Sequence, residues 1–139
     1  MDAEATVRRF YEAMNTGDGS LLDEVLAPGW ESTPPRPGQG PGPEGFKPVL
    51  AWLRAVFPDL TITQEDIVVS GDGDRVAVRS VTRGTHSGEM FGVPATGRQV
   101  EFPAFDFHHL QGGRIVRSWH LEDNAGLLSQ LSAARAGEH

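Results

Sequence analysis

Asp123 closes a strand-like run, Arg114-Ile115-Val116-Arg117-Ser118-Trp119-His120-Leu121-Glu122-Asp123, which follows Gly112-Gly113 and precedes an apolar segment. Side chains alternate along a strand, so Ile115, Trp119, Leu121 and Asp123 share one face, and three of those four are bulky and apolar. A carboxylate that continues such a face is partly desolvated, and its pKa rises towards the range of a general base. The same aspartate also suits the N-cap of a following helix. The residues leave both roles open. The histidines are His86, His108, His109, His120 and His139, of which His86, His109 and His120 are candidates to donate a proton opposite Asp123. His86 follows Gly84-Thr85 where a strand ends, a common place for a pocket side chain. With a two-residue turn at Gly112-Gly113, Gln111 faces Arg114, which sets His108 opposite Arg117 and His109 opposite Val116.

Other chemistries lack their residues. The chain has no cysteine, which removes thiolate nucleophiles, disulfides and cysteine metal sites. It has no His-Glu-x-x-His pattern, and adjacent His108 and His109 point to opposite faces of a strand, so no zinc site is expected. Gly38-Gln39-Gly40-Pro41-Gly42 lacks the Lys-Ser/Thr of a phosphate loop, and no Gly-x-Ser-x-Gly elbow occurs.

The elements that must position these groups read as follows. Val7, Phe10, Tyr11 and Met14 fall at i, i+3, i+4 and i+7, predicting a helix over residues 3–15 with Asp2 as N-cap. Leu21, Leu22, Val25 and Leu26 predict a short second helix. Six of the ten prolines lie from Pro28 to Pro43, interleaved with glycine, so residues 28–43 read as an ordered loop or lid through which no regular element runs. Pro43 opens a third helix that carries Phe46, Val49, Leu50, Leu53, Val56 and Phe57. The period then becomes two. Strands are expected at 60–69 (with a bulge at Gln64-Glu65-Asp66), 75–82, 98–110 and 114–123, with a last helix over Leu127, Leu128, Leu131 and Ala134 and a polar tail from about 133. Helices followed by a strand meander predict a single α+β domain whose helices pack on one face of an antiparallel sheet.

A chain of 139 residues is one domain, and 38% hydrophobic content is that of a globular protein. The net charge of −7 argues against a nucleic-acid footprint. Acidic Met1-Asp2-Ala3-Glu4 does not resemble a signal peptide, and no apolar run reaches about 18 residues. No membrane association and a cytoplasmic location are the expectations.

Seven motifs then occur in order: Phe10-Tyr11-Glu12-Ala13-Met14-Asn15-Thr16-Gly17-Asp18; Pro41-Gly42-Pro43-Glu44-Gly45-Phe46; Phe57-Pro58-Asp59-Leu60; Gly84-Thr85-His86-Ser87-Gly88; Phe91-Gly92-Val93-Pro94-Ala95-Thr96-Gly97-Arg98; Gly113-Arg114-Ile115-Val116 with Trp119; and Asp123 before Leu127-Leu128-Ser129-Gln130-Leu131. Together they resemble the SnoaL-like polyketide cyclases, or ester cyclases, of the nuclear-transport-factor-2-like superfamily, over nearly the whole chain. The resemblance implies a cone-like α+β barrel with a deep pocket between a curved sheet and the N-terminal helices. It implies aldol ring closure without metal or covalent intermediate, with an aspartate of the last strand, here Asp123, as acid/base. His86 matches the histidine of the Gly-Thr-His motif. Thr33 or Ser32 stands where many relatives carry histidine, His109 where they often have arginine, and Arg117-Ser118-Trp119-His120 replaces the frequent Glu-His-Trp-Asp.

The expected site is therefore Asp123 with His86 or His109, in a pocket lined by Tyr11, Trp30, Thr33, Phe57, Phe91, Trp119 and His120. It would close a ring in a hydrophobic, carbonyl-rich small molecule. Two alternatives stand beside that reading. One is epoxide opening by Asp123 and Asp106 around Arg79, Arg83 or Arg117. The other is a non-catalytic ligand-binding module. The resemblance further implies a homodimer or tetramer.

Overall fold

The computed structural model describes residues 1–132; the polar tail expected from about residue 133, with Ala134, lies outside the described residues. Helix α1 (Ala3–Thr16) begins as expected, with the Asp2 carboxylate accepting from the Ala5 amide at 2.8 Å, and ends at Gly17 in the left-handed region. Its stripe of Val7, Phe10, Tyr11 and Met14 is buried. A short α2 (Ser20–Val25) leads into β1 (Leu26–Thr33), then come α3 (Gly42–Val56), β2 (Thr61–Val69), β3 (Arg75–Thr85), β4 (Gln99–Gln111), β5 (Arg114–Glu122) and α4 (Asn124–Ser132). The architecture is α+β: five strands form one curved sheet in the order β1-β5-β4-β3-β2, with the N-terminal helices on one face.

Two expectations about the sheet need correction. The segment 28–43 is not loop throughout, because residues 28–33 belong to β1, which pairs in parallel with β5 and makes a fifth strand. Pro28 and Gly29 sit where the register jumps, between the pairs Leu26–Ile115 and Glu31–Arg117. Proline is tolerated there because β1 is an edge strand and the ladder is already interrupted. Only residues 34–41 remain as loop. They fold back tightly: a Cβ at Gly45 would lie 1.9 Å from the Gly40 carbonyl oxygen, so glycine is required for this approach of loop to helix.

The second correction concerns β5. The hairpin turns at Gly112-Gly113, both at positive φ, as expected. Leu110 pairs with Ile115, but His109 pairs with Arg117, which leaves Val116 as an extra residue. This bulge shifts the alternation by one. His108 therefore lies opposite Ser118 rather than Arg117, and His109 opposite Arg117 rather than Val116. Beyond the bulge Ser118, His120 and Glu122 face the helices, while Trp119 and Leu121 face outward. The β2 bulge sits where it was expected, between Gln64 and Asp66.

Candidate active site

The inner faces of β3, β4 and β5 form a grid. Val76, His108 and Ser118 make one row; Val78, Asp106 and His120 the next; Ser80, Ala104 and Glu122 the third; Thr82 and Phe102 the fourth. Above it stand Phe10, Tyr11 and Met14 from α1, Phe46, Val49 and Leu53 from α3, and Trp30 from β1. Pro34, Arg36 and Gln39 of the loop close one side. The result is a partly open cleft with a volume of about 90 Å³. Its walls are chiefly apolar, and the polar groups gather on β4 and β5.

These polar groups form one connected chain. Tyr11 donates to Asp106 Oδ2 at 2.9 Å, and its oxygen lies 3.0 Å from His108 Nε2. His108 Nδ1 is 2.7 Å from Ser118 Oγ, which accepts from the Trp30 indole at 3.0 Å. On the other side of Asp106, His120 Nδ1 contacts Oδ1 at 2.5 Å, and His120 Nε2 contacts Glu122 Oε1 at 3.0 Å. Arg36 donates to that same Glu122 oxygen at 2.8 Å. Gln39 ties the loop to Ser32 Oγ on β1 at 2.9 Å.

Electrostatics fix the direction of every proton in this chain. Burial pushes His108 down to about 4, so its ring is neutral at pH 7. Burial, reinforced by the Asp106 charge, raises the Tyr11 phenol well above its usual value, so Tyr11 is a donor. Because Tyr11 spends its proton on Asp106, its oxygen accepts from His108 Nε2–H. Nδ1 of His108 then accepts the Ser118 hydroxyl, and the donors run from Trp30 to Asp106. Burial pushes Asp106 upward, but the hydrogen bond and charge of His120, aided by His108 and Tyr11, hold its carboxyl below the usual range. Burial works against the His120 charge, yet Asp106 and Glu122 outweigh it and lift His120 to about 9. Glu122 is lowered in the same balance, burial being outweighed by His120 and Arg36.

At neutral pH the site is thus a ladder of alternating charge: Asp106 negative, His120 positive, Glu122 negative, Arg36 positive. Asp106 and Glu122 have side chains 7% and 5% exposed, whereas His120 remains 37% exposed. The imidazolium is the member of the ladder most open to an incoming molecule. Such a ladder can hold a carboxylate base beside a proton donor, and an organic molecule that fills the cleft would strip away the water that screens them.

The expected site residues divide sharply. Tyr11, Trp30 and His120 line the cleft. Asp123 does not: it is exposed, one residue past the end of β5, and its carboxylate accepts from the Gly126 amide at 2.8 Å as the N-cap of α4. The bulge at Val116 removes the shared face that had linked it to a pocket. His86 is fully buried away from the cleft, where the Thr96 amide donates to its Nδ1 at 3.2 Å. His109 lies on the outer face between Arg75 and Arg117. Thr33 pairs with Trp119 on that same face, and its hydroxyl accepts from Arg117 at 3.3 Å. Phe57 is buried under Gly84 and Phe102, and Phe91 is exposed in the 86–98 connection. Trp119 is half-exposed outside, edge-on to Phe107 and under the Arg117 guanidinium.

Asp106, His108, Ser118, Glu122 and Arg36 carry the site without having been singled out as its catalytic centre. One signal was available for two of them. Phe102, Ala104, Asp106, His108 and Leu110 alternate along β4, and a carboxylate and an imidazole two residues apart within an apolar face mark a pocket floor.

Comparison with known proteins agrees with this geometry. The description of the SnoaL-like polyketide cyclases matches residues 5–131. Aklanonic acid methyl ester cyclase DauD of Streptomyces sp. (strain C5) is 31% identical over 130 residues, which cover 90% of this chain and 78% of DauD. Nogalonic acid methyl ester cyclase of Streptomyces nogalater is 28% identical, covering 86% of this chain and 89% of its own. Among solved structures, TsrD from Streptomyces laurentii superposes with a TM-score of 0.84 at 30% identity, over 94% of this chain and 95% of TsrD. IdmH from Streptomyces antibioticus does so with a TM-score of 0.82 at 39% identity, over 96% and 100%. With fold, cleft and sequence in agreement over nearly its full length, the chain belongs to the SnoaL-like polyketide cyclase family.

Proposed function

We propose that this protein closes a ring in an apolar, carbonyl-rich polyketide by an intramolecular aldol reaction that needs no cofactor, with Asp106 as base and His120 as acid. The observation that carries the reading is the 2.5 Å contact between these two groups on the wall of an apolar cleft. Asp106 takes a proton from the carbon between two substrate carbonyls. His120 and Arg36 stabilise the enolate oxygen. The enolate carbon attacks the second carbonyl, forming the carbon–carbon bond, and the new alkoxide takes the His120 proton. The alkoxide draws that proton from His120 Nε2, since Nδ1–H stays on Asp106, and the proton held by Asp106 returns to Nε2 through solvent at the cleft mouth. Ring closure consumes no net proton, so the acid and the base end in their starting states.

The low pKa of Asp106 makes it a weak base in isolation. The imidazolium that lowers it is also the charge that acidifies the substrate, and the cleft holds a flexible chain in a folded conformer. Of the three arginines that the epoxide-opening alternative would use, none lines the cleft: Arg83 pairs with Glu101, Arg79 lies near Glu65 and Asp66, and Arg117 lies by Glu31. Pairing as a homodimer or tetramer through the outer face of the sheet, and a cytoplasmic site of action, belong to the same reading. For location, the direct finding is that no helix among the described residues is long and apolar enough to cross a membrane.

The test is incubation with aklanonic acid methyl ester, the compound in DauD's name, in the presence of a chelator. The expected product is an isomer of unchanged mass, formed by the native chain and reduced roughly 10²–10⁴-fold in kcat by Asp106→Asn. Full turnover by that variant would refute the assignment. Oxygen from labelled water retained at a newly opened carbon would favour epoxide chemistry, and tight binding without product would leave a binding module.

A further inference from the structure

Ser80 is 1% exposed on β3, it lines the cleft, and its hydroxyl has no hydrogen-bond partner. A buried polar group without a partner is destabilising, and native proteins keep few of them. The residue facing it on β2, Gln64, spends its amide on the Ile62 carbonyl, at 2.9 Å. On the β4 side Ser80 faces Ala104, whose methyl group leaves the third row of the grid open, with Glu122 beyond it. Beyond this row the cleft is walled by Met14, Leu53, Ile62 and Phe102, which offer no nitrogen or oxygen, and by Thr82, the next inward residue along β3. An unpartnered hydroxyl is thus held in a largely apolar part of the cleft, beside a floor made low by alanine.

We infer that Ser80 and Ala104 form an oxygen subsite, in which a substituent of the substrate lies over Ala104 and the Ser80 hydroxyl binds its carbonyl or phenolic oxygen. The inference rests on the cyclase reading of the same cleft and names which part of the substrate is recognised away from the reacting bond. Ser80 is diagonal to Asp106 across the β3–β4 pair, a separation of about 7–8 Å. One small carbonyl compound cannot reach both groups. A fused polycycle with oxygens at both ends can, and anchoring its far end fixes the enolisable carbon over Asp106. Ser80 is therefore a specificity-determining and positioning residue rather than a catalytic one.

The experiment uses the native chain, Ser80→Ala and Ser80→Thr, with 1,8-dihydroxyanthraquinone as probe, titrated by quenching of the Trp30-containing fluorescence, and thermal unfolding without probe. Ser80→Ala should bind roughly tenfold more weakly, as expected for one lost hydrogen bond. Its unfolding temperature without probe should stay level or rise, because an unpartnered buried hydroxyl is gone. Ser80→Thr, which keeps a hydroxyl, should retain most of the affinity. Equal affinity in Ser80→Ala overturns the subsite and leaves the cyclase reading standing. A fall in the unfolding temperature with unchanged affinity gives Ser80 a structural role and also overturns it. Failure of the native chain to bind the probe at all overturns the subsite together with the fused polycycle it is built to hold.

Discussion

Along residues 105–108 of β4 and 118–122 of β5, the two faces of the sheet reverse the usual arrangement. Towards the helices these strands present Asp106, His108, Ser118, His120 and Glu122; towards solvent they present Phe105, Phe107, Trp119 and Leu121, with Leu121 71% exposed. On an ordinary half-buried sheet the apolar set would be inside. The inner polar residues are kept because they satisfy one another, every side chain named in that chain having a partner. The outer residues have no such closure, and the proposed pairing of chains would cover this apolar band. The proposed chemistry belongs to the inner face, and the proposed pairing of chains would use the outer one.

The largest effect that would break this contrast is on the inner face. His120→Gln should lower kcat by roughly 10²–10⁴ while leaving the fold intact, measured on the cyclisation above; unchanged kcat would make the inner network merely structural. On the outer face, Phe107→Glu with Leu121→Glu should convert an oligomer to monomer by sedimentation, with catalysis per chain altered less than twofold. An unchanged mass would show that the band is not the interface.

Ser118→Val sharpens the comparison further. It strands the Trp30 indole and His108 Nδ1, and the loss should be about 2–3 kcal/mol in denaturant unfolding. The matching change outside, Trp119→Val, leaves no buried polar group unpaired.

The two inner histidines should bend stability in opposite directions with pH. His120 has its pKa raised to about 9 from 6.5, so its contribution is complete below about 6.5 and is lost as pH rises towards 9. His108 is lowered to about 4, so its contribution is complete above about 6.5 and is lost as pH falls towards 4. Denaturation across pH should flatten on the alkaline side in His120→Gln and on the acid side in His108→Gln. The smallest effect belongs to Asp123→Ala, with a loss of about 1 kcal/mol from the α4 cap and unchanged kcat.

Much of the fold was legible in the sequence. The α1 stripe, the Asp2 cap, the third helix behind Pro43 and the Gly112-Gly113 turn follow from local rules, and so does the β2 bulge. β1 was not legible, because proline and glycine suit an interrupted edge strand as well as they suit a loop. The site was legible only in pieces. Tyr11, Trp30 and His120 announce themselves by type, but the phase of β5 depends on an extra residue that no period of two reveals. A stretch with apolar residues on one face and polar ones on the other gives no sign of which face is inside when, as here, the polar face is the buried one.

The extra residue at Val116 has a consequence for how this strand can change over time. Its chemical face is set by parity, the odd or even count of residues between the glycine turn and the carboxylates. Deleting one residue there would exchange the two sides at a stroke, driving Trp119 and Leu121 into the cleft and turning His120 and Glu122 out to solvent. Point substitutions tune this active site gradually, but an insertion or deletion at this spot acts as a switch between a reactive cavity and a filled one.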